Sequence, residues 1–171
     1  MTLSLIVLGL VTLQRAGELA LARYNTARLL VRGAREIGGG HYPLMVAMHA
    51  CWLLSLWAWG YDQRVNLPAL AAFVVLQGFR GWVVATLGSR WTTRIIVLPG
   101  APLVTTGPYR YLSHPNYVVV AAEIAVLPLA LGLPLTALVF TVLNALVLGI
   151  RIRAENNALA STDEGVMKPA S

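Results

Sequence analysis

The sequence is poor in the residues that soluble enzymes commonly use for metal binding, disulfides and solubility. It has one cysteine and three histidines among 171 residues, and charged residues make up only 12%. Because Cys51 is single, a disulfide within one chain is excluded. The histidines lie in three separate regions and show no metal-ligand spacing: they are His41, His49 and His114. The sequence therefore predicts neither a disulfide framework nor a metal site.

Charge is scarce because the chain is strongly apolar. Hydrophobic residues make up 57% and the mean hydropathy is +0.68, values that exclude both a soluble domain and a disordered chain. A membrane-spanning helix needs about 20 apolar residues, so the chain can hold four or five spans. The alternating pattern of a transmembrane barrel is absent. We therefore predict an all-α fold, a polytopic membrane helical bundle.

Five apolar stretches define this bundle, and we expect about five transmembrane helices in a single domain at residues 1–160. The predicted spans are residues 2–22, 42–61, 67–87, 117–131 and 134–150. The last two are short, and Pro128, Gly132 and Pro134 surround their junction, which predicts a C-terminal helical hairpin with a tight turn. Residues 161–171 are predicted to form a disordered tail.

The distribution of lysine and arginine predicts the orientation of the spans. Most of the 13 basic residues follow the first, third and fifth spans, whereas Arg64 alone follows the second. Basic loops favour the cytoplasm, so the N-terminus should lie outside and the C-terminus inside. The formal net charge of +6 is explained by this topology and by contact with anionic lipids, and predicts no nucleic-acid partner.

A polar run between two apolar stretches is the most informative part of the chain. Residues 107–117 read Gly-Pro-Tyr-Arg-Tyr-Leu-Ser-His-Pro-Asn-Tyr, and the next 33 residues contain one charge, Glu123. Polar side chains do not enter lipid without partners. His114 before Pro115 predicts a rigid, extended turn at a helix start. The run therefore predicts a polar site at a membrane boundary.

The predicted hairpin brings further polar residues to this site. If the chain reverses near Leu133, His114 lies 19 residues before the turn and Arg151 lies 18 after it. Antiparallel helices then return Arg151 to the level of His114. Glu155 is four residues beyond Arg151 and shares its helix face. We therefore expect an opposite-charge pair beside the run at 107–117.

Two polar pairs are predicted deeper in the membrane. Arg15 and Glu18 are three residues apart on a helix and can pair with each other. The hairpin also brings Glu123 level with Asn144. Glu123 is then either a packing residue that hydrogen-bonds Asn144, or a contact to a polar group of a substrate.

These residues resemble a known family of integral membrane enzymes, the isoprenylcysteine carboxyl methyltransferases. The resemblance spans about residues 14–159 and is carried by residues 107–111, the His-Pro-Asn-Tyr motif at 114–117, the hairpin, and Arg-Ile-Arg-Ala-Glu at 151–155. Asn25 and residues 32–36, 41–43 and 91–94 are similar to bacterial members that methylate long-chain phenolic or pyrone polyketides. The chain is thus expected in a bacterial inner membrane.

The resemblance implies S-adenosylmethionine at the cytoplasmic end of the last two helices. The residues implied to bind it are Tyr109, Leu112, His114, Pro115, Tyr117 and Glu155. Ser113 and Asn156 depart from the family, which commonly has arginine and glutamate there.

The implied reaction is methyl transfer to an oxygen of a lipophilic substrate, a carboxylate or a phenolic or enolic hydroxyl. A methyl sulfonium needs no acid to activate its leaving group, so the protein must align the oxygen and keep it ionised. Arg94 and Arg151 are the candidates for holding that anion, because a guanidinium stabilises it. Together with Glu123 they form the predicted catalytic set.

Three alternatives remain open from the sequence. A phospholipid N-methyltransferase differs only in its acceptor. A sterol-type membrane reductase would use a nicotinamide cofactor in a similar pocket, but it should carry more spans and an aromatic-rich C-terminal segment. A non-enzymatic scaffold or transporter would bind no cofactor, and it leaves the polar run unexplained.

Overall fold

The computed structural model describes residues 2–37 and 39–166, and the side chains of residue 41 and of residues 154–166 lie outside that description. Five α-helices form a bundle, as the sequence predicted, and four of them are long and apolar enough to span a membrane. The helices are α1 (Thr2–Val31), α2 (Tyr42–Gly60), α3 (Leu67–Leu87), α4 (Pro115–Ala130) and α5 (Pro134–Val166). The chain is therefore a multi-pass integral membrane protein.

Helix α1 is longer than predicted. It has 30 residues and so measures about 45 Å, against about 30 Å for the hydrocarbon layer. Arg23 and Arg28 do not end the helix, because arginine is a good helix former. The last turns of α1 therefore carry these arginines beyond the apolar layer. Helix α5 likewise continues past the predicted end at residue 150.

The hairpin between α4 and α5 is confirmed. Helix α4 ends after Pro128, the turn residue Gly132 has a φ of +70°, and Pro134 begins α5. Proline has no backbone N–H, so it fits the first position of a helix. Asn66 donates its backbone N–H to the Ala130 carbonyl at 2.8 Å. This contact ties the start of α3 to the turn.

Packing between α1, α2, α3 and α4 forms the interior of the bundle. Its fully buried members include Leu8, Trp52, Leu56 and Leu127, and Trp52 Nε1 donates to the Ile124 carbonyl at 3.3 Å. Lipid is as apolar as these side chains, so close packing and hydrogen bonds hold the helices together in the membrane. The exposed leucines and valines of the outer faces are suited to lipid contact.

A small antiparallel sheet, which the sequence did not predict, closes one end of the bundle. Strand β1 (Arg35–Ile37) pairs with β2 (Ile95–Val97), and Glu36 lies opposite Ile96. Strands of three residues are too short to show alternation. Short 3₁₀ helices adjoin them at Gly39–His41, Gly88–Arg90 and Gly107–Arg110. The sheet joins the α1–α2 connection to the α3–α4 connection.

We call this end of the bundle the basic end, because α1, α3 and α5 bring most of the arginines there. Among the described residues, Arg64 lies at the opposite end, in the α2–α3 connection. As for the predicted disordered tail at 161–171, the backbone of residues 161–166 belongs to α5 and residues 167–171 lie outside the described part. That prediction stays a prediction.

We expect the basic end to face the cytoplasm, because basic loops resist translocation. Single cysteines placed at Arg64 and at Arg110, in a Cys51→Ser background, should react with a membrane-impermeant maleimide from opposite sides of the membrane. Arg64→Cys should label in intact cells, and Arg110→Cys only after permeabilisation. Labelling of both positions from the same side would contradict the five-span topology.

Candidate active site at the basic end

The polar run at 107–117 is pressed against α3. Gly107 begins its 3₁₀ helix with a φ of +58°, and a Cβ built there would lie 2.5 Å from Thr86 Oγ1. Glycine is therefore required both by the backbone conformation and by the close approach. Pro108 is buried, and His114 occupies the N-cap position of α4 with Pro115 as the first helical residue. This placement orients the side chains at the start of α4.

The rings of His114 and Tyr117 stack on one another at this helix start. Their centroids are 5.1 Å apart and their planes differ by 10°. Arg151 of α5 donates from Nε to the Tyr117 hydroxyl at 2.8 Å, and its guanidinium carbon lies 5.3 Å from the Tyr117 ring. The hairpin thus places Arg151 beside the polar run, and this geometric prediction is confirmed.

Arg151 is 6% exposed and connects three parts of the chain. Besides Tyr117, its Nη1 donates to the Thr93 carbonyl at 2.7 Å and contacts Met45 Sδ at 2.9 Å. No carboxylate among the described side chains lies within ion-pair distance of it. The predicted partner Glu155 lies outside the described side chains. Arg151 therefore presents a buried positive charge whose described contacts are all neutral.

Two buried polar atoms nearby have no hydrogen-bond partner within the described part of the chain. They are Oδ1 of Asn116, in the polar run, and Nε1 of Trp91, at the end of the 3₁₀ helix that follows α3. Trp91 is otherwise anchored by Asn25, whose side-chain amide donates to the Trp91 carbonyl at 2.8 Å. An orphaned buried acceptor or donor costs free energy unless a ligand satisfies it.

Arg94 follows Thr93, whose carbonyl binds Arg151, but it has a different environment. Its Nη1 donates to both carboxylate oxygens of Glu36, at 2.7 and 2.9 Å, and its guanidinium carbon lies 4.5 Å from the Tyr42 ring centroid. The hydrogen bond to Glu36 raises the pKa of Arg94 above its usual value. Arg94 is therefore positively charged at any physiological pH, as an anion-binding role requires.

An amphipathic cleft of about 350 Å³ opens between α1, α2 and the loop that carries Arg94. Its polar lining is Arg23, Thr26, Tyr42, Thr93 and Arg94, and its apolar lining is Leu19, Ala27, Leu30 and Val46. Thr93 also belongs to the site around Arg151, because its backbone carbonyl accepts a hydrogen bond from Arg151. The cleft and the site around Arg151 are therefore neighbours that share Thr93.

Glu123 lies elsewhere, in a buried cluster of charges between α1, α3 and α4. Its Oε2 accepts from Arg15 at 2.8 Å and from Arg80 at 2.7 Å, and its Oε1 accepts from Gln77 at 2.8 Å. Glu123 thus meets its partners on α1 and α3, and not the expected Asn144 of α5. The prediction of a substrate contact by Glu123 stays a prediction.

The predicted Arg15–Glu18 pair is confirmed and belongs to the same cluster. Arg15 Nη1 lies 2.9 Å from Glu18 Oε2, and Arg80 donates from Nε and Nη2 to both Glu18 oxygens. Sequence reasoning missed Arg80. A signal was available, because Arg80 is the one charged residue inside the predicted third span, where an unpaired arginine is costly.

The structure therefore brings some of the predicted site residues together and separates others. His114, Pro115, Tyr117 and Arg151 meet at the start of α4. Tyr109 is half-buried in the preceding 3₁₀ helix, and Leu112 is exposed in the polar run. Arg94 lies in the neighbouring cleft, next to Thr93. Glu123 lies inside the bundle, in the charge cluster between α1, α3 and α4. Sequence reasoning assigned Arg23 to topology alone, although it lines the cleft.

Sequence comparison finds relatives that cover most of this chain. YpbQ of Bacillus subtilis (strain 168), which is described as uncharacterized, is 38% identical over 159 residues, or 90% of this chain and 95% of the relative. An uncharacterized protein of Haemophilus influenzae is 24% identical over 149 residues, or 84% and 87% of the two chains. No solved structure matches significantly.

The profile of the isoprenylcysteine carboxyl methyltransferase (ICMT) family matches residues 69–161, more than half of the chain. This segment contains nearly all of α3, the polar run, the hairpin and Arg151. The chain therefore belongs to the isoprenylcysteine carboxyl methyltransferase family and is a membrane methyltransferase that uses S-adenosylmethionine.

Proposed function

We propose that the protein methylates an ionised oxygen of a lipophilic acceptor at the basic end of the bundle. The observation that supports this best is Arg151, which is buried beside the start of α4 and has no carboxylate partner among the described side chains. A buried guanidinium whose described contacts are all neutral attracts an anion. The acceptor would then be a carboxylate, or a phenolic or enolic hydroxyl in its ionised form.

The residues at the start of α4 fit S-adenosylmethionine. The stacked rings of His114 and Tyr117 offer a flat surface to an adenine or a sulfonium, and Asn116 Oδ1 is a buried acceptor that an amino group of the ligand would satisfy. When bound, the cofactor supplies a methyl group whose bond to sulfur breaks as the acceptor oxygen forms a bond to that carbon. We propose Tyr109, Leu112, Pro115 and Glu155 as further cofactor contacts.

The protein's own contribution is to position the acceptor and to stabilise the negative charge on its oxygen. Arg151 would hold the acceptor oxygen in its anionic form, and Arg94 would bind the same head group from the cleft. Both are fixed before the acceptor arrives, Arg151 by Tyr117 and Thr93, and Arg94 by Glu36. Donors fixed in this way need no reorganisation during the reaction. The surrounding helices exclude water that would compete for the methyl group.

A phospholipid N-methyltransferase is the remaining alternative in chemistry. Its acceptor is an amine, which must be uncharged to attack the methyl group, so Arg151 would have no negative charge to hold on the reacting atom. Arg151 therefore favours an anionic oxygen acceptor. A nicotinamide-dependent reductase and a non-enzymatic scaffold have no support from the family to which the chain belongs.

The test is to incubate the purified protein with radiolabelled S-adenosylmethionine and a bacterial lipid extract, and to identify the labelled product. A methyl ester or a methyl ether would support O-methylation, and these two products differ in their release by mild base. A labelled amine in a phospholipid head group would contradict the proposal. A preparation that labels no lipid would contradict it as well.

His114→Ala is expected to weaken S-adenosylmethionine binding without unfolding the protein. The ring stacks on Tyr117 at a helix start that the membrane-spanning helices hold independently. Losing one aromatic contact should raise the Kd about 3- to 10-fold. Isothermal titration calorimetry measures the Kd, and thermal unfolding in detergent measures stability. The control is Tyr111→Ala, since Tyr111 is an aromatic of the same run that is 75% exposed.

The two variants together separate cofactor binding from folding. If His114→Ala lowered the thermal midpoint strongly and left the Kd unchanged, His114 would be a structural residue. If Tyr111→Ala raised the Kd as much as His114→Ala, the effect would not be specific to the stacked pair.

A further inference from the structure

Arg23 has no role in the reaction as described so far, yet it faces the amphipathic cleft. Leu19, Arg23, Thr26 and Leu30 line the cleft from α1, and their spacing of three and four residues places them on one helix face. No described residue forms an ion pair or hydrogen bond with Arg23. Its charge is therefore available within the cleft.

Arg94 supplies a second positive charge to the same cleft. Glu36 binds its Nη1, and the Tyr42 ring lies 4.5 Å from its guanidinium carbon. The guanidiniums of Arg23 and Arg94, together with the Glu36 carboxylate that binds Arg94, give the cleft a net positive charge. Tyr42 and Thr26 add hydroxyl groups. This combination of donors suits an anionic head group.

The apolar part of the cleft and its size restrict what accompanies that head group. Leu19, Leu30 and Val46 form apolar walls. The volume of about 350 Å³ is near the lower limit for small-molecule sites. It suits a head group and the first part of a single alkyl chain, whereas a phospholipid brings two chains and a larger head.

The cleft also adjoins the region around Arg151, where methyl transfer is proposed to occur. Thr93 Oγ1 lies 3.1 Å from the Tyr42 hydroxyl, and the Thr93 carbonyl accepts from Arg151. A head group between Arg23 and Arg94 is thus separated from the Arg151 region by one residue. Thr93 is thus the contact that links the cleft to the Arg151 region.

We propose that this cleft is the acceptor-binding site, that its ligand is a single-chain amphiphile with an anionic head, and that Arg23 determines this specificity. The inference rests on the proposed function, because it places the acceptor of that reaction. Arg23 selects for charge in the head group, Arg94 orients it, and the apolar walls hold the chain. Neutral amphiphiles of equal length are disfavoured, because Arg23 is exposed in the free protein and a ligand without an anion would cover its charge unpaired.

The test measures binding directly in nanodiscs of phosphatidylcholine. Radiolabelled palmitate is the anionic probe and hexadecanol is the uncharged probe of equal chain length. Palmitate should bind at least about tenfold more tightly than hexadecanol, and Arg23→Gln should remove most of that difference. Arg28→Gln is the matched control, because Arg28 lies on the same helix but contacts Tyr24. It should leave palmitate binding unchanged.

Three results would overturn the inference. Palmitate and hexadecanol could bind equally well, or Arg28→Gln could cost as much affinity as Arg23→Gln. Replacing part of the phosphatidylcholine with phosphatidylglycerol could also displace palmitate completely, which would make the cleft a general site for anionic lipid.

Methyl transfer to the lipid extract, measured in parallel, separates this inference from the proposed function. If Arg23→Gln retained the full kcat/KM for the labelled product, the cleft assignment would fail while the methyltransferase reaction stood. If the wild-type protein methylated no lipid but bound palmitate through Arg23, the proposed reaction would fail and the cleft assignment would stand.

Discussion

Arg80→Ala is expected to lower the free energy of unfolding by about 3–5 kcal/mol, the cost of breaking a buried ion pair. Arg80 binds Glu18 and Glu123, and its side chain is 7% exposed. Its removal leaves Glu18 and Glu123 with Arg15 as the one remaining cation among the described residues of the cluster. Glu123, whose side chain is 2% exposed, cannot reach water without separating α1, α3 and α4. Thermal unfolding in detergent measures the loss.

The control for this prediction is Arg64→Ala, which removes an exposed arginine at the opposite end of the bundle. It should change stability by less than about 0.5 kcal/mol. The double variant Arg80→Gln with Glu18→Gln should be more stable than Arg80→Gln alone, because it also removes one of the two carboxylates that then share Arg15. If Arg80→Ala cost no more than Arg64→Ala, the charge cluster would not stabilise the bundle.

Arg151→Ala is expected to reduce the rate of methyl transfer about 10²- to 10³-fold, the usual effect of removing a fixed donor to a reacting oxygen. Cofactor affinity should change much less, because Arg151 is proposed to hold the acceptor. The stacked pair of His114 and Tyr117 loses one hydrogen bond but keeps its ring contact. Single-turnover kinetics measure the rate, and calorimetry measures the Kd for S-adenosylmethionine.

Two further variants distinguish a chemical role of Arg151 from a structural one. Arg153→Ala removes an exposed arginine two residues further along α5 and should leave the rate unchanged. Tyr117→Phe removes the hydroxyl that binds Arg151 Nε while keeping the guanidinium, and should cost far less than Arg151→Ala. Near-wild-type single-turnover rates in Arg151→Ala would contradict the assignment, and a loss of rate equal to the loss of cofactor affinity would do so as well.

The companion change is Glu155→Gln, which is expected to weaken cofactor binding before it affects the rate. Glu155 is proposed to bind polar groups of S-adenosylmethionine, and its side chain lies outside the described part of the structure. An unchanged Kd in this variant would remove Glu155 from the proposed cofactor contacts.

The number and order of the helices follow from the sequence because the membrane leaves few alternatives. In lipid every backbone group must be paired within the chain, so an apolar run of sufficient length becomes a helix. The turn at Gly132 and the two prolines near it then define an antiparallel hairpin. Helical rise alone brings Arg151 level with His114, and the structure shows Arg151 in contact with Tyr117.

The tertiary structure decided which faces of those helices meet. Hydropathy is nearly uniform around helices that are apolar on all sides, so it contains little information about their rotation. Arg15 and Arg80 reach Glu123 across separations of 108 and 43 residues, and Asn144 was expected in their place. Arg94 meets Glu36 because two three-residue strands pair, and Arg23 lines a cleft because α1 continues past the apolar layer. Such contacts depend on how the helices pack, and no local pattern in the sequence encodes them.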